Sequence, residues 1–144
     1  MSEQLVSIQT LQETMAHGAA PWVTDLGLQV VEVRPHEVEL RLPITPRLVH
    51  GGGVLCGQAI LAAADMAMVL AISVVLGGFK PMTTVQLQTS FLRPIVPAIA
   101  GTSAHARVVA RVLRKGRHLV FGEIEFFDTE NRLAAHATTT YALI

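Results

Sequence analysis

One cysteine, Cys56, stands alone among 144 residues. A disulfide framework and a multi-cysteine zinc site are thereby excluded. Aromatic residues make up only 5%, which leaves few platforms for stacking nucleobases. Charge is thin as well: 15% of residues carry it, and 11 Lys+Arg balance 11 Asp+Glu. No global basic field for nucleic acid exists. The sequence does not open on a basic stretch followed by an apolar run, so no export signal is visible and a cytoplasmic protein is expected. Linkers, internal repeats and low-complexity segments are missing too. The length suits one domain over 1–144.

Apolar side chains are what the sequence has in abundance, at 51% of residues and a mean hydropathy of +0.46. Intrinsic disorder needs the opposite balance. More apolar surface is present than a small monomer hides. The longest apolar stretch covers 59–76 and is broken only by Asp65 and Ser73. About eighteen residues touch the lower limit for a bilayer span. Asp65 in hydrocarbon would cost about 2.5–3.5 kcal/mol, and Ala59, Ala62, Ala63, Ala64 and Ala67 add little insertion energy. A buried helix of a soluble protein, with no membrane span, is therefore expected. A helix apolar all round needs cover on most sides.

Around that helix the hydrophobic period changes. Leu5, Ile8, Leu11, Gln12 and Met15 predict a helix over 4–16, ending near His17-Gly18 before Pro21. Alternation predicts strands over 26–35 and 36–43, joined by a turn at Arg34-Pro35-His36. After Gly77-Gly78 the period is two, predicting strands over 84–91, 101–113, 118–128 and 133–143. Arg114-Lys115-Gly116-Arg117 forms a basic turn. Arg107 and Arg111 are placed to pair with Glu123 and Glu125 on the neighbouring strand. One long helix, a short N-terminal one over 1–20 and an antiparallel meander of three or four strands make an α+β fold. A curved sheet is expected to wrap the helix, leaving its outer surface and edges for self-association.

The pattern resembles the hotdog fold, and within it the PaaI-like acyl-CoA thioesterases. The likeness runs from about Leu26 to Leu143. Gly57, Ala64-Asp65-Met66-Ala67, Thr83-Thr84-Val85, Phe91-Leu92-Arg93-Pro94, Gly116-Arg117 and the stretch 134–141 carry it. The family usually has His-Gly-Gly eight or nine residues before its acidic residue. Counting back from Asp65, this chain has Cys56-Gly57-Gln58, the mark of a divergent branch. His50-Gly51-Gly52 lies too far upstream to be that motif, but His50 falls where many members have an Asn.

A carboxylate inside an apolar helix is costly unless it is paired or used. The resemblance implies that Asp65 acts as general base on water, or as nucleophile through a mixed anhydride. The plainer alternative is an Asp capping a neighbouring loop. At a helix start the first amides lack intrahelical partners and point outward with a positive dipole. A thioester carbonyl at Gly57 would gain charge stabilisation there, or Gly57 merely begins the helix. Gly57 and Asp65 are eight residues apart, about 12 Å along a helix. Attack needs about 3–3.5 Å, so one helix does not readily serve both ends of that contact. If both act on the same thioester, they come from different subunits, and the resemblance implies a homodimer or homotetramer.

Thr84 matches a family hydroxyl that orients water, though Thr is ordinary in a strand. His50 is a candidate for holding water or thioester. Gln58, Arg93, Lys115, Gly116 and Arg117 are candidates for binding substrate, the cations toward coenzyme A phosphates. Cys56 with His50 makes a possible thiol pair; a small apolar residue under the helix start is the simpler reading. His17, His36, His105, His118 and His136 lack metal-ligand spacing, and neither metal nor cofactor is expected. The expected activity is hydrolysis of a medium-chain or aryl-acyl coenzyme A. A hydratase of the same fold is disfavoured because Leu70 stands where that family has a His. A non-catalytic acyl-CoA-binding module is the competing class.

Overall fold

A computed structural model describes residues 4–97 and 104–144. Helix α1 (Ile8–Gly18) starts after Ser7, whose hydroxyl accepts the Thr10 amide at 3.1 Å. That cap explains why the helix begins later than residue 4. One unexpected turn of helix, α2 (Pro21–Thr24), follows with proline at its first position. Next come β1 (Gln29–Arg34), β2 (Glu37–Pro43) and α3 (Gly57–Leu76), then β3 (Met82–Phe91), β4 (His105–Lys115), β5 (Leu119–Phe127) and β6 (Leu133–Leu143). The start of the strand expected over 101–113 lies partly outside the described residues.

All strand pairs are antiparallel, in the order β1-β2-β4-β5-β6-β3. The expected meander therefore comprises β4, β5 and β6. β3 does not pair with β4, which follows it in the chain; it pairs with β6 and forms the far edge. Inside the sheet lies α3, with 12 of its 20 residues buried. Ala63, Ala67, Met68 and Leu70 pack against Leu40, Val108, Ile124 and Phe126. The helix stops at Gly77, whose φ of 77° is left-handed, and the Gly78 amide donates to the Ser73 carbonyl at 2.8 Å. The sheet wrapped on one apolar helix, with a short N-terminal helix, is the hotdog architecture.

The outer sheet face carries paired charges. Arg111 bonds Glu37 at 2.6 Å, Glu123 at 3.3 Å, and also Glu125. The expected pairing of Arg107 with Glu123 or Glu125 does not form. Its partner across β5 is Phe127, so the guanidinium lies 4.1 Å from that ring's centre and reaches back to Glu39 at 3.3 Å.

Candidate active site

The loop before α3 is tied down on both sides. Leu55 donates its amide to the Ile95 carbonyl at 2.8 Å, and Cys56 donates to the Leu48 carbonyl at 2.8 Å. Cys56 is the cap residue, in extended conformation, and its side chain makes no capping bond. The Gly57 amide therefore begins the helix without a backbone acceptor among the described residues. The Phe91 ring, at the end of β3, lies beside it: a Cβ built on Gly57 would sit 3.5 Å from that ring.

Two turns further along α3, Asp65 is half-buried on the outward side of the helix. Thr84 Oγ1 donates to its Oδ1 at 2.8 Å. The Tyr141 hydroxyl donates to the same Oδ1 and lies 2.8 Å from the Asp65 carbonyl oxygen. Both donors are neutral, and no cation forms an ion pair with Asp65 among the described residues. Oδ2 receives no hydrogen bond from those residues. The carboxylate is thus anchored through one oxygen and presents the other. Burial first, and then the bond to Asp65, pushes the Tyr141 hydroxyl above the usual phenol range. Tyr141 consequently stays protonated and acts as a donor.

The sheet explains why these groups meet. Thr84 and Tyr141 are opposite each other in the β3–β6 ladder, and the register slips between Thr84 and Gln86. Such a bulge re-aims side chains beside sites. Tyr141 is the one tyrosine of the chain and is 1% exposed. Sequence reasoning missed it because it alternates inward with Ala135, Ala137 and Thr139, as core does. A lone phenol in a row of small inward residues was the available signal, since a buried hydroxyl needs a partner.

Asp65 forms part of the wall of a cavity of about 750 Å³ between α1, α2, α3 and the start of β3. Gln58, Leu61, Asp65 and Val69 line it from α3 at three- and four-residue spacing, which is one helix face, with Met66 beside them. Thr14, His17, Trp22 and Val23 line the α1–α2 side. A smaller crevice of about 200 Å³ lies by Trp22, Arg47, Cys56 and Gln58. Gln58 and Trp22 border both spaces.

The other expected residues are scattered. His50 is exposed in a turn, where Nδ1 accepts the Gly52 amide at 2.8 Å. That bond engages its ring locally and joins it to neither Asp65 nor Thr84. Cys56 is a free thiol, and the bond that His50 makes goes to Gly52 and not to it. Arg93 follows β3, with its amide donating to the Ala134 carbonyl at 3.0 Å. Lys115, Gly116 and Arg117 form the β4–β5 hairpin, next to Leu119, which pairs with Ala142. Ala134 and Ala142 are eight residues apart on β6, about 26 Å. Within one protomer, Arg93 and the hairpin therefore do not share a phosphate. Gly116 has a geometric reason of its own: a Cβ there would come 2.9 Å from the Leu119 carbonyl oxygen.

The profile of the thioesterase superfamily matches residues 49–135. A candidate esterase of Thermoplasma volcanium is 28% identical over 119 residues, covering 77% of this chain and 78% of its own. Another candidate esterase, from Saccharolobus solfataricus, is 26% identical over 119 residues, covering 83% and 80%. Among solved structures, a thioesterase of Haemophilus influenzae superimposes with a TM-score of 0.83 at 22% identity, covering 98% of this chain and 92% of that one. The PaaI protein of the E. coli phenylacetic acid degradation operon gives a TM-score of 0.76 at 16% identity, covering 96% of each chain.

Proposed function

The chain belongs to the thioesterase superfamily, and we propose that it hydrolyses medium-chain or aryl-acyl coenzyme A thioesters at a site shared by two copies of itself. One observation carries this reading: a carboxylate held on one oxygen by two neutral hydroxyls, with the other oxygen receiving no hydrogen bond among the described residues, in the wall of a mostly apolar cavity. Oδ2 of Asp65 takes a proton from water as the water oxygen attacks the thioester carbonyl. Charge develops on the carbonyl oxygen and is met by the Gly57 amide of the partner subunit. Collapse breaks the carbon–sulfur bond, and the thiolate recovers the proton. Direct attack by Oδ2, forming an anhydride that water then opens, uses the same groups.

The shared site is supported by β3. This edge strand is ten residues long, Met82–Phe91, and contains neither charge nor proline. Val85 is 59% exposed and Phe91 53%. Edges of this kind seek another strand. A two-fold axis near Gln86 and Leu87 would set the Met82–Thr84 end of one β3 against the far end of the other. Phe91 at that far end lies beside Gly57. Pairing thus brings Asp65 and Thr84 of one protomer toward Gly57 of the partner subunit. It also carries Arg93 toward the end where Lys115 and Arg117 lie, giving a cationic cluster for coenzyme A phosphates. A dimer of dimers is compatible with the remaining faces. The proposal includes a cytoplasmic location, in keeping with Cys56 as a free thiol.

Thiol release across a panel of acyl-coenzyme A substrates tests the reading. The wild type should release thiol, and Asp65→Asn should be about a thousandfold slower in kcat/KM. Substrate binding by the wild type without release would favour a non-catalytic binding module.

A further inference from the structure

Positive and negative charges balance in number but not in place. Arg34, Arg107, Arg111 and Arg132 hold acidic partners on the outer sheet face and in the turn over 128–132. Lys80, Arg114, Lys115 and Arg117 form no ion pair among the described residues. All four are exposed. The backbone gathers them at one end of the sheet: Ile144 donates its amide to the Pro81 carbonyl at 3.1 Å, and Leu143 donates to the His118 carbonyl at 2.8 Å. No acidic side chain occurs within 79–82, 113–121 or 141–144. Large apolar side chains stand among the cations, with Leu113 59% exposed, Phe79 53% and Leu119 42%. Phe79 and Met82 also line the Asp65 cavity. Met82 begins β3 two residues before Thr84, about 7 Å along a strand. The cationic end thus adjoins the candidate site.

Coenzyme A phosphates account for Lys115 and Arg117 in the reading above. They leave over Lys80, Arg114 and the exposed apolar side chains, which a phosphate does not use. Apolar groups rimmed by charge of one sign mark a docking surface. Resting on the thioesterase reading above, we propose that this end docks a small acidic protein domain that carries its acyl thioester on a phosphopantetheine arm. Carboxylates of the domain meet the cations, and its apolar side chains meet Phe79, Leu113 and Leu119. The arm enters beside Phe79 toward Asp65. Water supplies the oxygen of the released acid, the carbon–sulfur bond breaks, and the arm keeps the sulfur as a thiol. Pairing of β3 with a second β3 about a two-fold axis turns the two cationic ends of the dimer in opposite directions. Each end then takes its own domain, whereas a flat anionic bilayer would meet only one.

The test uses an acidic acyl carrier protein, loaded with the same acyl groups as the coenzyme A panel. Lys80→Gln combined with Arg114→Gln should raise KM for the loaded carrier about tenfold while kcat is kept. KM for acyl-coenzyme A should stay within about twofold, which also shows that the variant is folded. Leu113→Ser should act in the same direction. Added salt should raise the carrier KM of the wild type more than that of the double variant. Titration with carrier whose arm bears no acyl group reads docking apart from turnover, and the double variant should bind it about tenfold more weakly. Docking of that carrier with no thiol released from either substrate would uphold the surface and contradict hydrolysis. No docking, a loaded carrier left intact while acyl-coenzyme A is hydrolysed, or a carrier KM unmoved by the double replacement overturns the inference. Binding to phosphatidylglycerol vesicles in place of the carrier overturns it as well.

Discussion

The two edges of the sheet are built to opposite specifications. β1 is six residues long, carries Glu32 and Arg34, and has a register slip between Val30 and Glu32. Its Val30 amide donates to Gln12 Oε1 of α1 at 2.6 Å. Shortness, charge, a bulge and a covering helix are the devices by which proteins close an edge. β3 has ten residues, no charge and no covering element hydrogen-bonded to its outer side among the described residues. The site cluster lies on the open edge, since Thr84 is a β3 residue and Asp65 leans toward it. The contrast teaches that the edge left unprotected is the one beside Asp65 and Thr84, which is where the proposed site would take a second copy.

The largest effect should come from converting the open edge into a closed one. Val85→Lys combined with Gln88→Lys places the usual edge-protecting charge on β3. Sedimentation should show a folded monomer, and kcat/KM should fall by about a hundredfold, the worth of a lost oxyanion donor. A monomer that keeps full activity would break the comparison.

Next in size is the cluster itself. Tyr141→Phe keeps the ring packing but removes a donor from Asp65 Oδ1. About a tenfold loss of kcat is expected, with assembly unchanged. Kinetics on the variant, beside its sedimentation profile, separate a positioning role from a packing one.

The smallest effect belongs to the closed edge. Gln12→Ala removes the acceptor of the Val30 amide and should lower stability by about 1 kcal/mol in urea unfolding. Neither oligomeric state nor activity should change. A shift toward larger assemblies would mean that α1 was guarding a second association surface.

Much of this was readable beforehand. The 59–76 run marked α3 because an apolar stretch broken by one carboxylate in mid-helix is compatible with a buried core. β4 and β5 were readable because Arg107, Arg111, Glu123 and Glu125 alternate with small apolar residues. Asp65 and Thr84 were read from the resemblance, and the structure brings them together. Strand order was not readable: nothing local in β3 says that it pairs with β6 and not with β4. Tyr141 was lost to its inward alternation. For His50, sequence does not reveal that Nδ1 of its ring accepts the Gly52 amide, two residues away. The pairing of Arg107 failed because each sheet residue has two cross-strand neighbours, and periodicity names neither.

The central claim, that one protomer supplies Asp65 and its partner the Gly57 amide, is open to a direct measurement. Gly57→Pro removes that amide while suiting the first position of a helix, and Cys56 before it is already extended, at ψ 148°. Each variant alone, Asp65→Asn or Gly57→Pro, should be nearly inactive. Co-expressed in equal amounts, they form mixed dimers in which one of the two sites has both groups intact. Activity should recover to about a quarter of wild type. Mixed dimers, verified by two different tags, that remain as inactive as the parents would place both groups in one protomer and contradict the account.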